Sequence, residues 1–214
     1  TLQFKTDGYV VSGGTLNIAP ASGTTGTINV DAGVSTQIAS QIAGTGDLEK
    51  VGTGTLVLSG SNTYAGDTIL TAGTLTAKDD GSLGDLSSSI VFNGGTLQAG
   101  VDFSATARAM AINTGKAAAI DIADPAKSLT ASGVISGSGN LIKTGAGTLV
   151  LAGSNTYTGT TILSAGTLSI ASDGNLGANS IAFERAVSAL EKVSSSAGSG
   201  GFQCDHALLS HRRP

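Results

Sequence analysis

Residues 48–84 read LEKVGTGTLVLSGSNTYAGDTILTAGTLTAKDDGSLG, and residues 141–177 read LIKTGAGTLVLAGSNTYTGTTILSAGTLSIASDGNLG. The two stretches lie 93 residues apart and share 25 identities in 37 aligned positions. A chain that repeats itself at this level is built from duplicated structural units, each of which contacts mainly its neighbours. The repeat extends beyond the aligned core, since Ile28-Asn-Val30 pairs with Ile120-Asp-Ile122 at offset 92 and Ile42 with Ile135 at offset 93.

Inside each copy the apolar residues fall in short runs rich in Thr and β-branched types, such as Thr55-Leu-Val-Leu58, Thr68-Ile-Leu70 and Thr74-Leu-Thr76. Each run is bounded by Gly, Asn, Asp or Ser, which is the pattern of strands and turns. A [GA]-G-T-L tetrapeptide recurs at Gly13–Leu16, Ala72–Leu75, Gly94–Leu97 and Ala165–Leu168, where a glycine feeds the start of a strand. The steps from Gly54 to Gly73 and from Gly73 to Gly95 are 19 and 22 residues, too short for a βαβ unit and suited to one coil of a β-solenoid. The sequence therefore predicts an all-β parallel β-helix in which the 93-residue block covers four or five coils. A strand spacing of about 4.8 Å then separates equivalent residues of the two copies by roughly 20 Å along the axis. A β-sandwich also suits short strands with glycine turns, but it gives no reason for near-identical blocks within one domain.

Composition agrees with thin stacked layers. Aromatics are 4% with no Trp, charged residues 12%, Gly 32 and Pro 3, so the core must come from Leu, Ile, Val and Ala. A net charge of −4 opposes a nucleic-acid partner, which requires a basic surface. Cys204 is the sole cysteine, so no intramolecular disulfide closes the repeats. The chain starts at Thr1 without an initiator Met or a signal-peptide pattern, and it reads as an internal fragment.

The motif Leu48-x-Lys50-x-Gly52-x-Gly54-Thr-Leu56, followed by Leu58-Ser-Gly60-Ser-Asn62-Thr-Tyr64-x-Gly66-x-Thr68 and Ala72-Gly73-Thr-Leu75, resembles the autotransporter-associated β-strand repeat of type V secretion passengers. The second copy matches it at Asn155-Thr-Tyr157-Thr-Gly159-Thr-Thr161. The resemblance implies a right-handed β-helix displayed outside a bacterial cell. It also implies an outer-membrane β-barrel translocator, which the sequence does not contain, and an adhesin-type role with a host-surface or glycan ligand that the residues leave unnamed. The repeat positions singled out as scaffold are Gly54 and Gly147, Leu56 and Leu149, Asn62 and Asn155, Tyr64 and Tyr157, Gly66 and Gly159, and Gly73 and Gly166.

Candidate chemistry is weak by comparison. Asp80 with Asp173, and Asp31 with Asp124, recur at matching positions, and turn capping by a short carboxylate explains them better than calcium or sugar binding. The segment nearest a calcium-roll motif, Gly44-Thr-Gly46-Asp47, becomes Gly137-Ser-Gly139-Asn140 in the second copy and loses its carboxylate. Tyr64 and Tyr157 are expected to pack against a neighbouring loop rather than stack on sugars, and Asn62 and Asn155 to bond turn backbone. A carbohydrate-processing or carbohydrate-binding β-helix is the alternative reading. Glycoside hydrolysis needs two carboxylates at one bond, and the unrepeated Asp67, Asp102 and Asp121 are scattered, with no His before His206. The reading is thus a non-enzymatic shaft with no catalytic, cofactor or metal site.

Repeat grammar fails after Ser180-Ile-Ala-Phe183, which matches Ser89-Ile-Val-Phe92, because Glu184 stands where Asn93 begins the next turn. The expected division is residues 1–183 as β-helix, with related units at about 28–97 and 120–183, and residues 184–214 as an atypical tail. That tail reads as a short helix and a disordered end, either a natural cap or a frame-shifted junction. Cys204, Asp205, His206 and His211 lack the paired spacing of a zinc site. A terminal coil with unpaired backbone would invite self-association.

Overall fold

A computed structural model describes residues 1–19, 23–178 and 181–183. The expected tail, with its helix, Cys204, Asp205, His206 and His211, lies outside them. The described chain is a parallel β-solenoid wound as a three-sided prism.

Face I stacks seven strands: Leu2–Phe4, Thr25–Val30, Asp47–Val51, Thr68–Leu70, Ile90–Phe92, Met110–Ile112 and Ile135–Gly137. Face II stacks nine: Val10–Val11, Ser35–Ile38, Thr55–Leu58, Thr74–Ala77, Thr96–Ala99, Ala117–Asp121, Asn140–Thr144, Thr161–Leu163 and Ile181–Phe183. Face III begins with Thr15–Ala19 and Gln41–Gly44 and ends with Ala105–Thr106, Ser128–Ala131, Thr148–Leu151 and Thr167–Ile170. Between those two groups it is irregular, carried by the Asn62–Gly66 segment and a short 3-10 helix at Asp80–Leu83.

The period-2 alternation of each strand sends every second side chain inward. Because the strands are parallel and in register, like stacks on like. Leu56, Leu75, Leu97 and Ile120 form one inward column on face II, and Leu129, Leu149 and Leu168 another on face III. All seven are at most 1% exposed. Such columns form a thin core that extends along the axis, as the aliphatic composition requires.

The duplication does not stack upon itself. Asp47–Val51 lies on face I, whereas its counterpart Asn140–Thr144 lies on face II; Thr55–Leu58 lies on face II and Thr148–Leu151 on face III. The Asn-Thr-Tyr segment follows the same rule. Thr63 N donates to Ile42 O on face III, while Thr156 N donates to Ile135 O on face I. The 93-residue block therefore covers four coils and one further side. A strand with inward apolar residues at every second position fits any face, so the same sequence is accommodated on a different side of the prism.

Candidate functional site

The repeated residues converge on the stretch where each copy leaves regular strand geometry. Asn62 is 6% exposed and lies between two coils. Its Oδ1 accepts from Ile42 N at 2.8 Å in the preceding coil, and its Nδ2 donates to Ser82 O at 2.5 Å in the following one. Asn155 repeats the arrangement with Ile135 N at 2.8 Å and Asn175 O at 2.6 Å. A buried amide has both a donor and an acceptor, and here each replaces a ladder bond that the irregular backbone cannot make. The expected bond to turn backbone is present, and it links three successive layers.

Two residues on, Tyr64 is 1% and Tyr157 0% exposed. The Tyr64 hydroxyl pairs with Thr68 Oγ1 at 2.6 Å, and Tyr157 pairs with Thr161 Oγ1. Burial pushes both phenols above their ordinary value, against the smaller effect of the threonine hydrogen bond. Gly84, at φ 82, lies where a Cβ would strike the Tyr64 ring, and Gly177, at φ 60, lies where one would strike the Tyr157 carbonyl oxygen and crowd its ring. The rings thus fill the space beneath the next coil's loop and present no face to solvent.

The other repeated glycines mark close approach between coils. A Cβ on Gly54 would meet Asp31 O and Val34 O, and one on Gly147 would meet Asp124 O and Lys127 O. Gly73 and Gly166 would meet the carbonyls of Gly54 and Gly147 respectively, and Gly66 and Gly159 those of Gly46 and Gly139.

Two lysines escaped the sequence reading. Lys50 and Lys143 are 1% and 0% exposed and occupy inward columns, Lys50 between Ile28 and Leu70, and Lys143 between Ile120 and Leu163. Each ammonium turns into the corner that follows its strand. Lys50 Nζ donates to Val51 O and Gly52 O at 2.8 Å and to Ala72 O of the next coil at 3.2 Å. Lys143 Nζ does the same with Thr144 O, Gly145 O and Ala165 O. Gly52 (φ 73) and Gly145 (φ 72) turn these corners, leaving carbonyls directed inward that three N–H donors can satisfy. Burial pushes both amines down to about 8, and the Asp121 charge partly opposes this at Lys143. The signal was available, because a lysine two positions after an inward Leu48 or Leu141 shares its parity.

The carboxylates are spent on structural partners, some on backbone N–H groups and others on side chains. Asp47 Oδ1 accepts from Asp67 N, and Asp67 Oδ1 from Ser89 N, both at 2.9 Å. In the second copy Asn140 Oδ1 accepts from Thr160 N at 2.9 Å, so this position needs an oxygen acceptor and not a charge. Asp121 accepts from Gln98 Nε2 at 2.7 Å and Thr144 Oγ1 at 3.1 Å, and Asp102 pairs with Lys78 at 3.6 Å on the surface. Of the recurring aspartates, Asp124 caps a turn at Ala126 N, whereas Asp31 accepts from Gln3 Nε2. Asp80 and Asp173 differ from the capping expectation. In the first loop Asp79 caps by accepting from Ser82 N at 3.0 Å, and in the second Asn175 Oδ1 accepts from Ser172 N at 2.9 Å. Asp80 instead pairs with the buried Arg108 at 2.9 Å.

Residues 48–77 and 141–170 match the passenger-associated-transport-repeat family. The chain carries two passenger-associated-transport repeats. These matches start at Leu48 and Leu141 and contain both buried lysines, both Asn-Thr-Tyr segments and the corner glycines. An adhesin autotransporter, BmaC of Brucella suis biovar 1 (strain 1330), is 36% identical over 176 residues, 79% of this chain. The matched stretch spans about 5% of that relative's length. No solved structure matches the passenger-repeat chain at a significant level.

Proposed function

We propose that this passenger-repeat segment is a structural, adhesin-type part of a secreted bacterial autotransporter, forming a stiff stalk displayed at the cell surface. The observation that carries the reading is the double hydrogen bonding of Asn62 and Asn155 between coils. The most distinctive repeated polar side chains are spent on joining layers, so repetition serves the shaft. The adhesin name of the Brucella relative supports the same reading. Coil-on-coil docking would also favour outward movement through an outer-membrane barrel supplied by another part of the protein, because each emerging coil gains a ladder of bonds on the one before it. The shaft spaces an adhesive region of the protein away from the cell, toward a host-surface or glycan ligand, and does so without catalysis.

The purified segment, applied to a glycan array and to a panel of polysaccharides, tests this. The expected result is no hydrolysis of any polysaccharide. Turnover lost on replacing Asp67, Asp102 or Asp121 would overturn the stalk reading in favour of a carbohydrate-processing β-helix.

A further inference from the structure

The two copies agree in spacing as far as Gly84 and Gly177, and then part. The first takes five residues, Asp85 to Ser89, to reach Ile90, and the second takes three, Ala178 to Ser180, to reach Ile181. The longer connection carries an exposed turn. Asp85, Leu86 and Ser87 are exposed between buried Gly84 and Ser88, and Leu86 is 68% exposed. Ser88 N donates to Asp85 O at 3.0 Å, closing the turn. Asp85 Oδ1 accepts from Ser87 N at 2.9 Å and from Ser87 Oγ at 2.7 Å.

Arg108, one coil further on and with a side chain only 1% exposed, holds the base of this turn. Nε donates to Asp80 Oδ1 and Nη2 to Asp80 O and Gly84 O, all at 2.9 Å. Nη1 donates to Asp85 O and to Ser88 O. A guanidinium has five N–H donors, and these five bonds all go to one loop. Opening the turn therefore requires releasing Asp85 O and Ser88 O from Arg108.

An endoprotease takes its substrate as an extended strand that pairs with the enzyme, and a turn closed in this way cannot extend. We propose that the Leu86–Ser87 bond is a latched cleavage site for endoproteases that accept a large apolar side chain, with Arg108 as the positioning residue that keeps it shut. Cleavage adds water across the amide, the hydroxyl going to the Leu86 carbonyl carbon and the proton to the Ser87 nitrogen. The nicked shaft stays assembled. Thr74–Ala77 before the cut pairs with Thr55–Leu58 and Thr96–Ala99, and Ile90–Phe92 after it pairs with Thr68–Leu70 and Met110–Ile112.

The test is limited digestion of the full chain with chymotrypsin, read by fragment mass and by N-terminal sequence beginning at Ser87. Arg108→Gln is expected to speed cleavage after Leu86 by about tenfold or more, because local opening governs attack. Leu86→Ala in that background should remove the cut, and the nicked chain should elute at the size of the intact one. Asp80→Asn leaves the four carbonyl contacts in place and should give a smaller acceleration; it decides the matter if Arg108→Gln fails to fold. Equal cleavage of wild type and Asp80→Asn after Leu86, or first cuts of the variants elsewhere in the shaft, would overturn the proposal.

Discussion

At the scale of single residues, two lysines stand in otherwise apolar inward columns, Lys50 between Ile28 and Leu70 and Lys143 between Ile120 and Leu163. A buried ammonium loses hydration that three carbonyls only partly replace. The folded value of about 8 lies below the ordinary 10.5. Below about pH 8 both folded and unfolded chains carry the charge, and the folded state bears its full cost. Between pH 8 and 10.5 the folded chain gives up protons that the unfolded chain retains, so stability rises with pH. A thermal-unfolding series from about pH 7 to about pH 10 should show this rise, and a Lys50→Met, Lys143→Met double variant should show a flatter one. A melting temperature that falls across this window in the wild type, with the double variant unchanged, would contradict the burial argument. Asn62 makes the complementary case for a neutral group. Asn62→Ala leaves Ile42 N–H and Ser82 O without partners inside the shaft, at a cost of about 2–4 kcal/mol in urea unfolding.

At the scale of elements, the irregular side of each copy depends on coils that touch backbone to backbone. Gly66→Ala would drive a methyl group into the Gly46 carbonyl, with no flexible side chain there to yield. Gly81→Ala is the matched control in the adjoining loop, since the nearest atom to its Cβ is an Asp79 oxygen at 3.5 Å. Calorimetry should show Gly66→Ala destabilised by about 2 kcal/mol or more and Gly81→Ala within about 0.5 kcal/mol of wild type. The strands themselves were legible beforehand, because Thr55–Leu58, Thr68–Leu70 and Ile90–Phe92 combine an apolar alternation with turn residues on either side. The cap at Asp79 was not, because Asp79 and Asp80 are adjacent carboxylates and only the fold decides which one faces Ser82 N. The Arg108 clamp was equally hidden: its partners lie 20 to 28 residues away, a separation that no local pattern encodes.

At the scale of the whole molecule, the duplication was plain in the sequence but its phase was not. Coil lengths vary, so the sum of coils within 93 residues cannot be read from the repeat alone. Leu48 and Thr68 are 20 residues apart on face I, whereas Met110 and Ile135 are 25 apart. Only the ladder registers show that the block overshoots four coils by one side. Tandem blocks of this length would carry the Asn-Thr-Tyr segment round the shaft, returning to the starting face after three copies. The phase has a direct test in the present chain, with Cys204 replaced by Ser. Ala119 and Ile142 are outward neighbours on face II, and parallel strands about 4.8 Å apart lie within disulfide reach. Ala119→Cys with Ile142→Cys should therefore oxidise readily. If the copies stacked face upon face, Ile142 would instead continue the outward column of Glu49, Ile69, Val91 and Ala111 on face I. Ala111→Cys with Ile142→Cys should then form the bond that Ala119→Cys fails to make, and that result would reject the one-side displacement.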